Sequence, residues 1–197
     1  FVKKGERVTV TSAQPEETFF GLRGDVRRLA LAAYLCELCK TLCAEQQPED
    51  ALLSLTLNAL YVLSAAKVQE EIVKPAFELR SLAQSGFLPS LESGCMVCGE
   101  QGGPMSFSPS AGGILCEKHA GTQRDCAPLS PSVFSAMRYV CTCDAKKLYS
   151  FRLPEIPLRE FGALGETYVK TTLGMELQTL QFYRLLCDDI RKIEENQ

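Results

Sequence analysis

Two pairs of potential metal ligands share the same internal spacing. The pairs are Cys95-x₂-Cys98 and Cys116-x₂-His119, and 17 residues separate them. An x₂ spacing lets two side chains from one tight turn reach the same ion, and three thiolates with one imidazole favour tetrahedral zinc. Four protein ligands leave no open position for a water molecule, so the pattern predicts one structural Zn²⁺ ion. Cys126 is the alternative to His119 as the fourth ligand.

Residues that could support catalysis do not form a recognisable pattern. The only histidine, His119, belongs to the predicted metal site, so none remains for a catalytic triad or a general base. The sequence also lacks a Gly-x₄-Gly-Lys-Ser/Thr phosphate loop and a Gly-x-Ser-x-Gly nucleophile turn. We therefore predict a protein that is not an enzyme and has no catalytic residues.

The composition is that of a globular protein. Of 197 residues, 46% are hydrophobic and 23% are charged, and no apolar run approaches the length of a membrane span. We expect no membrane segment and no signal peptide. The chain has ten cysteines, and three of them share metal-ligand spacing with His119, which favours a reducing cytosol over a disulfide framework. The net charge of -3 is unlike that of a dedicated nucleic-acid module.

One stretch of the chain is locally basic. Arg23, Arg27 and Arg28 open the first long predicted helix. These arginines are candidates for contacts with DNA phosphates, and the alternative is a set of solvated surface charges.

A second group combines an aromatic residue with cations. Lys74 and Arg80 flank Phe77 on a predicted helix, which suits the binding of an acidic partner peptide that ends in an apolar residue. The alternative is a core Phe77 with neighbouring cations whose aliphatic stems pack beside it.

Three further cysteines have helical spacing. Cys36, Cys39 and Cys43 lie at i, i+3 and i+7, which places them on one face of a helix. We interpret this face as buried, with the thiols acting as small apolar groups, and the alternative is a cluster or redox site.

Hydrophobic periodicity predicts a mainly α-helical fold. A short strand is expected at residues 6–10, and residues 93–127, which are rich in Gly and Cys, are expected to form a loop-rich insert held by the metal. Pro75 is expected to bend its helix or divide it in two. The predicted helices are 22–43, 51–66, 69–84, 130–142, 158–173 and 177–193.

Several stretches carry a likeness to a known family. They are GLRGD at 21–25 with LALAAYLCEL at 29–38, FELRSL at 77–82 with GFLP at 86–89, CMVCG at 95–99 with FSP at 107–109 and GGILC at 112–116, and LGMELQTL at 173–180. In order and spacing the chain resembles the RecO family of bacterial recombination and repair mediators. The family's zinc ligands are commonly four cysteines, so His119 departs from the pattern and Cys126 stays an alternative.

The resemblance implies a domain order. Residues 1–20 would hold the end of an OB-fold and a linker, with residues 1–12 as its final strand. Residues 21–92 would be the first part of a helical domain, 93–127 a zinc-finger insert, and 128–197 the second part of the helical domain.

The resemblance also implies a function without enzymatic activity. RecO proteins bind and anneal DNA, engage the acidic C-terminal tail of single-strand-binding protein, and work with RecR to load RecA. The expected location is the cytoplasm, in association with the nucleoid, and the main DNA surface would lie in the OB-fold. The alternative function is a zinc-finger helical adaptor or regulatory protein outside recombination.

Overall fold

The computed structural model describes residues 2–4, 7–43, 49–92 and 94–195, and most of these residues are helical. A 3₁₀ turn at Phe20–Gly24 precedes the first helix, and a second 3₁₀ turn lies at Ala145–Lys147. The predicted mainly helical fold is confirmed. The helices are α1 Val26–Leu42, α2 Asp50–Ser64, α3 Glu70–Gln84, α4 Glu117–Ala120, α5 Pro131–Thr142, α6 Glu155–Leu173 and α7 Gln178–Glu195.

The strands form two small antiparallel sheets. At the N-terminus, β1 (Val2–Lys4) pairs with β2 (Arg7–Thr9), so the strand expected at 6–10 has a partner that periodicity did not reveal. The second sheet has the order β4-β3-β5 and contains β3 (Met105–Ser108), β4 (Gly113–Cys116) and β5 (Ala127–Leu129). The segment expected to be mainly loop therefore contains a regular sheet.

Local capping explains where several helices begin and end. The Asp25 carboxylate accepts hydrogen bonds from the first backbone N–H groups of α1, and Ser130 caps α5 with Pro131 in the first turn. Each side chain satisfies an N–H group that has no partner within its own helix. Helix α6 ends at Gly174, which has φ 65° and the left-handed conformation that glycine adopts without steric cost.

The core lies between α1, α3 and the helices packed against them. Helix α1 packs against α2, α3 and α7, whereas α3 also packs against α5 and α6. Phe77 of α3 and Phe161 of α6 are completely buried. Burying an aromatic side chain of this size contributes about 1.5–3 kcal/mol.

Helices α3 and α6 approach closely because one of them has a glycine at the contact. A Cβ atom on Gly165 would lie 3.3 Å from Pro75 of α3 and would also collide with the Glu78 carboxylate. Helix α3 continues unbroken through Pro75, so the expected division into two helices does not occur. The tertiary contact with α6 stabilises the helix despite the hydrogen bond that proline cannot donate.

The three-stranded sheet joins the helical core. Phe107 and Ile114, which are register partners on β3 and β4, are buried in the main core. The Phe107 ring meets the Tyr168 ring of α6 edge to face, with centroids 5.3 Å apart. The Tyr168 hydroxyl in turn donates to the Phe87 carbonyl at 2.9 Å. Apolar packing therefore holds this segment in place in addition to any bound metal.

None of the described helices has both the length and the apolarity that a membrane span requires.

Candidate metal centre

The first ligand pair lies on a tight turn with two permissive residues. Gly94 and Gly99 flank the pair and have φ values of 73° and 74°, which side-chain-bearing residues rarely adopt. The Cys95 N–H donates to the Glu100 carbonyl at 2.8 Å, and the Gly99 N–H donates to the Cys95 carbonyl at 2.7 Å. These bonds curl the backbone so that the thiols of Cys95 and Cys98 face the same point.

The second ligand pair lies where a strand becomes a helix. Cys116 is the last residue of β4 and the N-cap of α4, and His119 follows within the single turn of α4. The Thr122 N–H and hydroxyl both donate to the His119 carbonyl, at 3.1 and 2.6 Å. The Met96 N–H donates to the Ile114 carbonyl of β4 at 2.9 Å, which places this turn beside the first pair.

The four predicted ligands come together, with their ligand atoms all within 4.8 Å of one another. The distance from His119 Nδ1 is 3.2 Å to Cys116 Sγ and 3.4 Å to Cys95 Sγ, and Cys98 Sγ lies 3.8 Å from Cys116 Sγ. Zinc–ligand bonds of about 2.3 Å to sulfur and about 2.0 Å to nitrogen give tetrahedral edges of about 3.8 Å between sulfurs and about 3.6 Å between sulfur and nitrogen. The cluster therefore has the dimensions of a ZnS₃N site.

The electrostatics of the cluster suit a cation. Burial alone would raise the pKa of Cys95, but backbone N–H groups of Cys116, Cys98 and Val97 outweigh it and lower that pKa to about 6. Burial and the neighbouring thiols of Cys95 and Cys98 raise the pKa of Cys116. Several thiolates this close repel one another unless a divalent cation neutralises them, so the site can hold a metal ion.

Cys126 is outside this group of four ligands. It is half-buried and packs beside the small apolar cluster of Cys95, Leu115 and Cys116, but its sulfur is not among the clustered ligand atoms. The geometry therefore favours His119 as the fourth ligand. The four side chains close the coordination sphere, and Cys95 and Cys116 are almost fully buried, so the site suits a structural ion.

A carboxylate beside Cys126 organises the adjacent turn. Asp125 accepts a hydrogen bond from the Ser108 hydroxyl at 3.0 Å and another from the Ser110 N–H at 2.6 Å. It thereby connects the end of β3 to the segment that follows α4. The sequence did not reveal the role of Asp125, because its two partners lie 17 and 15 residues away and no local spacing points to them.

Comparison with known proteins finds a family model and several relatives that match most of this chain. The family model described as recombination protein O C terminal matches residues 23–181. The DNA repair protein RecO of Acetivibrio thermocellus is 31% identical over 185 residues, which cover 93% of this chain and 73% of the relative. The protein of the same name from Alkaliphilus metalliredigens is 30% identical over 146 residues, covering 74% of this chain and 59% of the relative.

The chain belongs to the RecO family. The family stretches have structural roles here that explain their residue types. In the first stretch, Gly21 donates its N–H to the Ser64 hydroxyl at 3.1 Å, and a Cβ atom on Gly21 would collide with the Ser64 carbonyl. In the last stretch, the Glu37 carboxylate of α1 accepts from the Thr179 N–H at 3.1 Å and also from its hydroxyl. These RecO stretches thus fix the 3₁₀ turn against α2 and α7 against α1.

The predicted partner-binding group needs exposed side chains, and the structure buries two of them. Phe77 has no exposed surface, and Lys74 is 5% exposed. Arg80 donates to three carbonyl oxygens at the end of α5, at 2.7–3.0 Å. The prediction is corrected because Phe77 packs in the core and both cations bind groups within the chain, which was the alternative interpretation.

The predicted DNA-binding arginines differ in their surroundings. The Arg23 guanidinium is exposed and lies 5.6 Å from the centre of the exposed Phe20 ring. Arg28 forms ion pairs with Asp25 and Glu70 at 3.4 and 3.5 Å. Arg27 is half-buried. DNA contact by these arginines stays a prediction.

The interpretation of Cys36, Cys39 and Cys43 as a buried face is wrong. Cys36 and Cys43 are exposed, and Cys39 is half-buried. The buried face of α1 is the opposite one, which carries Leu35 and Leu38. An almost uniformly apolar helix did not reveal from sequence which face would be covered.

Proposed function

We propose that this protein is a RecO-type mediator of DNA repair and homologous recombination and is not an enzyme. The observation that carries the proposal is the family match over residues 23–181. The candidate metal centre supports a scaffold role because protein side chains would occupy all four coordination positions of a tetrahedral ion. In this role the protein would bind and anneal DNA and, with RecR and single-strand-binding protein, would help load RecA in the bacterial cytoplasm at the nucleoid.

We further propose that the metal is zinc and that Cys95, Cys98, Cys116 and His119 hold one ion. The distances between the ligand atoms support this identity, as does the donor set of three thiols and one imidazole. When bound, the ion would cross-link the turn that carries Cys95 and Cys98 to the start of α4. It would supply no redox chemistry.

The domain division stays part of the proposal. Residues 1–20 would close an OB-fold, with 93–127 as the insert between helical parts 21–92 and 128–197. The strand β5 ends at Leu129, so the sheet of the insert extends two residues beyond the proposed boundary.

Survival of DNA damage tests the function. A bacterial strain that lacks its RecO protein would be given this chain joined to the OB-fold of a curated relative, and survival after ultraviolet irradiation would be counted. We expect survival to rise well above that with an empty vector. Survival equal to the vector control, with the fusion present at normal levels, would contradict the proposal.

Metal content of the purified chain tests the centre. We expect about one zinc per chain in the wild type and in Cys126→Ala, and a strongly reduced content in His119→Ala and Cys98→Ala. Cys126→Ala is the matched control, because it removes a nearby thiol that the geometry places outside the site. Loss of zinc in Cys126→Ala with full zinc in His119→Ala would reverse the assignment of the fourth ligand.

A further inference from the structure

One face of helix α2 exposes a stripe of large apolar side chains. Leu53, Leu57 and Tyr61 follow one another at four-residue intervals, so they lie on the same face of the helix. Their exposed fractions are 55%, 46% and 54%. The opposite face carries Leu55 and Ala59 into the core. We call Leu53, Leu57 and Tyr61 the α2 apolar stripe.

Another exposed apolar side chain stands at the end of this face. Ser64, three residues after Tyr61, continues the face of the stripe, and its hydroxyl accepts a hydrogen bond from the Gly21 N–H at 3.1 Å. This bond brings the first 3₁₀ turn to the end of α2. Phe20, which precedes Gly21 in that turn, is 72% exposed. Exposed apolar side chains therefore stand along α2 and on the turn at its end.

The stripe is free of charge along its whole length. Residues 51–66 contain no charged side chain. The exposed Phe182 and Leu185 of α7, in contrast, have Arg184 and Asp188 as neighbours along their helix. Helix faces that stay in water normally carry charged residues, and an exposed surface of apolar side chains marks an interaction site.

Charges occur at the two ends of α2, and their signs are opposite. Glu49 and Asp50 stand at its N-terminal end, and Lys67 follows three residues after its last residue, Ser64. Asp50 and Lys67 are exposed, and among the described residues neither of them forms an ion pair. When two copies of α2 lie antiparallel, the acidic end of each faces the basic end of the other, and the two helix dipoles attract.

We propose that the α2 apolar stripe binds the same stripe of a second copy of this chain, with the two helices antiparallel about a two-fold axis. The interface is isologous, so the same residues contribute from both copies. Leu57 lies beside the partner's Leu57 at the axis. Leu53 lies beside the partner's Tyr61, because both are four residues from Leu57. This inference does not depend on the proposed function.

The charge pattern favours a second copy over a different occupant. An uncharged helix face meets no like charge when it packs against itself. The opposite charges at its two ends also match by symmetry in the antiparallel arrangement. Any other occupant would have to complement both the uncharged middle and the two charged ends, which a second copy does without further features.

The size of the surface sets the strength of the association. Specific interfaces bury about 1,200–2,000 Å² in total, and one pair of helix faces buries less than that. We therefore expect a weak dimer, with a Kd of about 10–100 μM.

Sedimentation equilibrium of the full 197-residue chain, at concentrations below and above this Kd, tests the inference. The variant Leu57→Glu places two carboxylates together at the axis. The matched control is Ile156→Glu, which changes an 80% exposed residue of α6. We expect Leu57→Glu to dimerise at least about tenfold more weakly than the wild type and the control to dimerise as the wild type does. Far-ultraviolet circular dichroism shows that each variant is folded.

Charge reversal at the ends of α2 tests the antiparallel order. Asp50→Lys and Lys67→Glu should each weaken dimerisation about threefold, because each brings like charges together at both ends of the interface. The double variant exchanges the charges of the two ends, so it should recover most of the wild-type affinity. The effect of either single reversal should decrease at high salt, since the end charges are exposed to solvent.

Three results would overturn the inference. A wild-type chain that stays monomeric throughout the concentration range would mean that the stripe binds an upstream segment of a longer chain or a different protein. Equal dimerisation of the wild type and Leu57→Glu would place the dimer contact elsewhere on the molecule. A double reversal that dimerises no better than the single reversals would exclude the antiparallel arrangement.

Discussion

The buried ion pairs of Lys74 in α3 should contribute strongly to the stability of the fold. Lys74 Nζ lies 2.8 Å from Glu78 Oε1 and 2.7 Å from Glu166 Oε1. Glu78 has no exposed surface, and its Oε1 also accepts from the Tyr34 hydroxyl at 2.7 Å. Lys74 is therefore the cation that compensates a completely buried carboxylate.

Replacing Lys74 with Met keeps most of the side-chain volume but removes the charge. Glu78 then stays buried without a cation beside it. Breaking a buried pair by removing one partner costs about 3–5 kcal/mol, a large part of the total stability of a typical domain. The double variant Lys74→Met with Glu78→Gln removes both charges and keeps the acceptor for Tyr34, so it should be within about 1 kcal/mol of the wild type.

The cost of Lys74→Met should depend on pH. Burial raises the pKa of Glu78 in the native protein, and Lys74 and the Tyr34 hydroxyl oppose that rise. Without Lys74 the folded-state pKa moves further above the unfolded value of about 4.3. A group with a raised folded pKa contributes stability below its unfolded pKa and loses it as pH rises through the folded pKa. The variant should therefore be closest to the wild type in acid and weakest at neutral pH.

Urea denaturation followed by circular dichroism measures these differences in the free energy of unfolding. The wild type, Lys74→Met, Glu78→Gln and the double variant form a double-mutant cycle, to be run at neutral and acidic pH. Unfolding of Lys74→Met at the same urea concentration as the wild type at neutral pH would contradict the prediction. A double variant no more stable than Lys74→Met would contradict it equally.

Two smaller effects follow from contacts at helix ends, each measurable by urea denaturation. Arg80→Lys should lower the free energy of unfolding by about 2 kcal/mol, because an ammonium group cannot reproduce the guanidinium bonds to three carbonyl oxygens at the end of α5. The exposed Lys40→Gln is the control, and an equally small loss of stability in both variants would contradict this prediction. Thr179→Val should lower the free energy of unfolding by about 1 kcal/mol, because it removes the hydroxyl that donates to the Glu37 carboxylate, the group that also accepts from the Thr179 N–H at the start of α7. If Thr179→Ser lost as much as Thr179→Val, the effect would come from packing and not from the hydrogen bond.

Much of the fold was predictable because its signals are local. The start of α5 at Ser130 and Pro131 and the end of α6 at Gly174 depend on residues within one helical turn. The strand β1 and the sheet of 105–129 were missed because their strands have three or four residues and lack the run of β-branched residues at 8–10 that indicated β2. Runs of that length carry too little periodicity to distinguish them from loop.

The four ligands of the metal centre were also predictable from spacing. Two residues in one x₂ turn must lie close together, so each pair is defined locally, and only the meeting of the pairs needs the sheet. The choice between His119 and Cys126 needed coordinates, because the turn after α4 decides which side chain faces the thiols.

The sequence by itself predicted six of the helices, several of their caps and the four residues of the candidate metal centre. Only the tertiary structure decided which charges and thiols face water. Lys74 is neutralised by Glu166, a residue 92 positions away, whereas Cys36 and Cys43 of α1 are exposed. The physical reason is that the burial and pairing of a side chain depend on neighbours that are distant in sequence, which local spacing cannot specify.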